Sequence, residues 1–190
     1  MSALAQECGA INLAQGFPNF DIDSDLQACL IEAAHSNAHQ YAPMAGLISL
    51  REHIANLVAT HYNRAIDVSE ILVTAGATQA IFTTIQALVH PGEEVVILDP
   101  SYDCYEAPVL LSGATPIRLA LQANFKPDWE LIGQSIHTKT RLLIINNPHN
   151  PSGTIWDEAD FLALEKIMSE HPNLRLLSDE VYEFIAYSDS

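Results

Sequence analysis

Residues 141–153 read RLLIINNPHNPSG: an unbroken apolar run, then two asparagines, a proline, a histidine and a second Asn-Pro. A short apolar run bounded by turn residues is the pattern of a strand buried on both faces. The polar segment at its end admits two readings. Asn and Pro dominate turns, because Asn bonds its own backbone and Pro fixes φ. Alternatively, Asn150 leaves the strand tip to meet a ligand.

Working outward from this stretch, helix and strand patterns alternate along the chain. The pattern predicts strands at EILVT (70–74), EVVIL (94–98), TPIRLA (115–120), RLLII (141–145) and LRLLS (174–178). Helices are expected at 24–35, with Ser24 and Gln27 as a capping box, and at 46–62, with Leu47, Leu50, Ile54, Leu57 and Val58 as an apolar stripe. Further helices are expected at 78–89, with Ile81, Ile85 and Leu88 facing inward, and at 102–113, where Pro108 is an awkward interior residue. A weak helix at 128–136 and an Asp-capped one at 157–170 complete the series. Strands alternating with helices of about a dozen residues imply an α/β fold with a doubly wound, mostly parallel sheet.

Composition narrows the function classes. The chain has 190 residues, 48% of them hydrophobic, enough for one sizeable core. Its 24 acids against 8 Lys+Arg give a net charge of −16, which argues against nucleic acid as a partner. Cys8, Cys29 and Cys104 form no CxxC pair, as suits a reduced, cytoplasmic setting. No HxH or HExxH pairing is present, so no metal site is expected, and the histidines read as surface or helix-end residues. The N-terminus lacks the pattern of a signal peptide, and the apolar runs are too short to span a bilayer, so no membrane partner is expected.

In doubly wound sheets, ligands bind beyond the carboxyl ends of the strands. Just past four of the expected strands lie AGAT (75–78), DPSYDCY (99–105), NNPHNP (146–151) and DEVY (179–182). Gly76 lets backbone approach closely, and the unsatisfied N–H groups in the first turn of the helix suit a phosphate; an ordinary tight turn with a Thr cap suits the same stretch. Asp179 ends an apolar strand, where a carboxylate needs a cation, a donor or a helix to cap. Tyr102 can stack on a planar ligand or simply pack. Asn150 and Tyr182 can donate to an oxygen, or serve turn and core. Together they describe a site for a flat, phosphorylated heteroaromatic, and pyridoxal 5'-phosphate (PLP) has those features.

The chain resembles the fold-type I PLP-dependent aminotransferases of class I/II, in particular the methionine, kynurenine and glutamine transaminase branch. The matching stretches are INLAQGFPNF, QYAPMAGLISLRE, VTAGATQAIF, DPSYDCYEAP, NNPHNPSGTIW and SDEVYE. The resemblance implies a three-layer α/β/α large domain over 24–190, incomplete at its C-terminus, and an N-terminal segment, 1–23, on the substrate side. It implies that Gly76, Ala77 and Thr78 hold the cofactor phosphate, and that Tyr102 stacks on the ring. Asn150 and Tyr182 would bond the phenolic oxygen, and Asp179 would keep the ring nitrogen protonated. Gly16 would line the substrate side. Tyr41 would reach the partner's site in a homodimer. Amino acid and 2-oxo acid substrates are implied by the same resemblance.

The family's Schiff-base lysine, its later phosphate ligands and its substrate-carboxylate arginine lie downstream of SDEVYE, so the chain resembles an N-terminal half. In the family's sheet, later strands also lie beside the first one, which would leave EILVT without neighbours. An aminotransferase fragment that is inactive alone is the expectation. A PLP β-C–S lyase and a non-catalytic truncated PLP-binding module share the same residues. A nucleotide-binding domain is disfavoured by the lack of GxGxxG and of a P-loop lysine.

Overall fold

The computed structural model describes residues 1–13, 15–16, 20–37 and 40–185. Its helices are α1 (Ser2–Glu7), α2 (Ser24–His35), α3 (Ile48–Tyr62), α4 (Ala77–Leu88), α5 (Glu106–Leu111), α6 (Trp129–Ser135) and α7 (Glu158–Glu170). Its strands are β1 (Glu94–Asp99), β2 (Thr115–Ala120), β3 (Thr140–Asn146) and β4 (Arg175–Asp179). All pairings are parallel, in the order β2-β1-β3-β4.

Side-chain alternation divides the core between two faces of this sheet. On one face Val95 and Ile97 of β1 and Leu142 and Ile144 of β3 meet Ile81 and Ile85 of α4 and Val109 of α5. On the other, Val96, Leu98, Leu143 and Ile145 meet Ile132 next to Ile136, and Leu164 and Ile167 of α7. The central strands are buried on both faces, which is why β1 and β3 read as continuous apolar runs. Helices on both faces of one sheet make the three-layer α/β/α architecture.

The strand order creates a switch point. From β1 the chain passes through α5 on one face and reaches β2; from β2 it returns through α6 on the other face to β3, on the opposite side of β1. The connections leaving β1 and β3 therefore diverge to opposite faces. Such divergence marks the carboxyl edge at which doubly wound sheets bind ligands.

Local chemistry sets the element ends. Asp157 caps α7 in a box with Asp160, and Arg141 donates from Nε to the Leu88 carbonyl at the end of α4. Helix α5 is shorter than its sequence pattern; it starts at Glu106, so Pro108 lies in the first turn, where a missing N–H costs nothing.

Three expectations need correction. The 24–35 helix is capped by Asp23, whose carboxylate accepts from Asp25 N and Leu26 N; Gln27 reaches the Ile22 carbonyl instead of boxing with Ser24. The apolar stripe of α3 does not enter the core: Leu50 and Leu57 are exposed and no residue of α2 or α3 is buried, because among the described residues no sheet face or helix layer covers them. Residues 70–74 are not a strand. Asp67 boxes a 3-10 turn over Val68–Glu70, Arg51 bonds the carbonyls of Val68 and Ile71, and the rest is extended without a ladder partner. A strand is stabilised by its neighbour; here Glu70 N and Ile71 N turn back to Asp67 O and Val68 O, and Val73 N bonds Ala45 O.

Candidate functional site

The two amides that begin NNPHN shape the loop after β3. Asn146 Nδ2 donates to the Asp179 carbonyl at 2.9 Å, and its Oδ1 accepts from Asn150 N at 2.7 Å. Asn147 Oδ1 accepts from Trp156 N at 2.9 Å. These bonds satisfy buried main chain and leave the Asn150 side chain directed elsewhere. Its Nδ2 lies 3.4 Å from the Tyr182 hydroxyl. An amide N–H and a phenol so close can both donate to one further oxygen.

Asp179 ends β4 and is buried. Its Oδ2 accepts from the Tyr105 hydroxyl at 2.7 Å and its Oδ1 from Val181 N at 3.3 Å. Among the described residues no Lys, Arg or His forms an ion pair with it. Burying a carboxylate without a countercharge is expensive, so this group is suited to receive a cationic ligand atom.

The segment after β1 supplies the other wall. Tyr102 is partly exposed, with its ring edge-on to Tyr105 at 6.0 Å and 86°. Burial, and then the nearby Asp179 charge, raise the Cys104 thiol pKa. Burial, and then the bond to Asp179, push the Tyr105 phenol well above its ordinary range, so it stays a donor.

At α4 itself, Gly76 adopts φ +88, the left-handed region that favours glycine, and nothing lies within 4 Å of where its Cβ would stand. No side chain caps the helix, so the first-turn N–H groups of Ala77 and Thr78 have no capping acceptor. The dipole end of the helix and these donors suit an anion.

Ring and hydrogen-bond contacts through Tyr105 and Asn146 thus link Tyr102, Asn150, Asp179 and Tyr182, while Gly76, Ala77 and Thr78 lie at the start of α4. Among the described residues no contact joins Gly16 or Tyr41 to them; both are exposed, Tyr41 completely. Tyr105 and His149 were missed by sequence reading. Tyr105 was legible only as a second polar-tipped aromatic in the same turn. His149 is no surface residue. It is buried, with Nε2–H donating to Pro100 O at 2.9 Å and Nδ1 accepting from Ser152 Oγ at 2.7 Å, so it bolts the loop carrying Asn150 to the one carrying Tyr102. Burial lowers its pKa, against the opposing effect of the Pro100 bond. The three cysteines are free, and among the described residues no cluster of three potential metal ligands occurs.

The fold and the cluster define a doubly wound α/β protein with a glycine-led helix start, an exposed tyrosine, an amide–phenol pair and a buried carboxylate after its strands. Residues 9–190 match the family model for aminotransferase class I and II, and the chain belongs to that family. It is similar to methionine aminotransferase of Escherichia coli K12, 48% identical over 99% of this chain and 49% of that protein. Kynurenine–oxoglutarate transaminase 3 of Rattus norvegicus is 36% identical over 97% of this chain and 43% of its own. The crystal structure of the Escherichia coli methionine aminotransferase superposes with a TM-score of 0.94 at 47% identity, covering 99% of this chain and 50% of that one. The chain spans about half the length of the relatives it matches.

Proposed function

We propose that the complete protein is a PLP-dependent aminotransferase. It moves an amino group between an amino acid of methionine, glutamine or aromatic type and a 2-oxo acid. The observation that carries this reading is Asp179: a buried carboxylate, fixed by two hydrogen bonds and without a basic partner among the described residues. A protonated ring nitrogen supplies the missing cation. Ala77 and Thr78 N–H groups would hold the phosphate, Tyr102 the ring face, and Asn150 and Tyr182 the phenolic oxygen. Bound there, PLP supplies an electron sink for the pair left at the substrate's α-carbon.

The substrate class is supported by the relatives, one named for methionine and another for kynurenine and oxoglutarate. Gly16 on the substrate side, in a segment 1–23 distinct from the large domain 24–190, and Tyr41 directed to a second subunit belong to the same proposal. Tyr41's complete exposure suits a residue covered by a partner. The free cysteines, and the lack among described residues of a helix long and apolar enough to cross a membrane, are compatible with a cytoplasmic homodimer.

The test is Asp179→Ala in the complete protein. Turnover falls by orders of magnitude, because the ring nitrogen loses the anion that keeps it protonated. A near-normal rate removes Asp179 from the mechanism. Light scattering on the active protein checks the dimer.

A further inference from the structure

We propose that Tyr105 is the positioning residue for Asp179: its hydroxyl fixes the orientation of that carboxylate and sets how strongly it draws on a ring-nitrogen proton. The inference rests on the reading of the site as a PLP site.

The geometry separates Tyr105 from a packing tyrosine. Its ring belongs to the core cluster with Ile85, Val109 and Ile144 and is 3% exposed, so it cannot swing. Its hydroxyl emerges from that core 2.7 Å from Asp179 Oδ2. A phenol held above its ordinary pKa beside an ionised carboxylate can only donate to it. Such charge-assisted bonds are short and strong. The main-chain oxygen of Asp179 is held independently, by Asn146 Nδ2 and Asn147 N. The loop after β3 therefore holds the backbone of Asp179, while the segment after β1 holds its side chain. The other bond to the carboxylate, from Val181 N, is long at 3.3 Å.

Withdrawing the Tyr105 proton leaves a more basic carboxylate. The proton shared between Asp179 and a ring nitrogen then moves toward Asp179. The ring becomes more nearly neutral and a poorer electron sink.

The experiment uses the full-length holoenzyme carrying PLP labelled with ¹⁵N in the ring. Tyr105→Phe keeps the ring that fills the core and removes only the hydroxyl. The ring ¹⁵N resonance moves toward the value of unprotonated pyridine. At the same time kcat falls roughly tenfold, the worth of one charge-assisted bond, with KM little changed. Replacing Tyr105 by 3-fluorotyrosine, whose hydroxyl is a stronger donor, moves the resonance the other way; this variant keeps the test open if the phenylalanine one does not fold. A wild-type resonance in the folded variants overturns the proposal, as does movement in the same direction in both. Failure of the wild-type protein to bind PLP sinks the PLP reading and this inference together. A normal wild-type complex with an unresponsive resonance sinks the inference alone.

Discussion

Acid sensitivity of the bolt between the two site loops should trace to one residue, His149. The ring is buried and neutral, with Nε2–H donating to Pro100 O and Nδ1 accepting from Ser152. Protonation places a charge in a desolvated position, and that burial is the main reason the pKa lies below its ordinary 6.5. A histidine whose folded pKa is depressed binds its proton more readily when unfolded, so its contribution to stability is complete above 6.5 and is lost as pH falls below it. Each pKa unit of depression is worth about 1.4 kcal/mol. His149→Phe keeps a ring of similar size and removes both bonds. The Pro100 carbonyl is left without its ring donor, whereas Ser152 keeps its bonds with Thr154. Losing one hydrogen bond to this part-buried carbonyl costs about 1 kcal/mol. Urea denaturation of wild type and variant at about pH 8 and about pH 5 forms the assay. The variant should be less stable by that amount at the higher pH, and the gap should narrow at the lower one, because only the wild type loses the histidine contribution. A gap independent of pH would refute the argument, since it would mean that His149 is not the group being protonated.

Asp160 accepts from Lys126 and from Trp129 Nε1 at 3.0 Å, and boxes the start of α7. Asp160→Ala should cost about 2–3 kcal/mol by urea midpoint. Burial alone would raise the Asp160 pKa, but Lys126 and Trp129 overcome it and hold the group below 3.8; its contribution therefore disappears only as pH falls below that value. Ile85 is fully buried between α4 and the sheet, and Ile85→Ala should cost about 3 kcal/mol, read from the same midpoint. The 190-residue chain by itself should not transaminate. Lys166 lies on the exposed face of α7, Lys139 precedes β3 at the amino edge, and Lys126 is engaged by Asp157 and Asp160. Borohydride reduction with PLP and then peptide mass mapping checks this. A stoichiometric adduct on one of the three, with keto-acid production, would contradict it.

What the residues determined alone was set by local pattern. The runs EVVIL and RLLII could only be buried strands, because a strand covered on both faces needs apolar side chains at every position. Ile81 and Ile85 marked the inner face of α4 by their spacing, and Asp157 announced α7 by its cap. The site loops were legible because polar, turn-forming residues directly succeed apolar strands, and parallel strands place those ends on one edge.

Tertiary structure decided the rest. The stripe on α3 is periodic, yet none of it is fully buried here, because periodicity marks a face and only a neighbour buries it. Residues 70–74 carry strand chemistry without a ladder, since pairing is supplied by another segment. The order β2-β1-β3-β4, and with it the divergence of the connections after β1 and β3, is a property of how crossovers pack on the two faces. Tyr105 and Asp179 are 74 positions apart, and no spacing rule connects them. Only the packing of Tyr105 in the core beside Ile144 sets that hydroxyl beside that carboxylate.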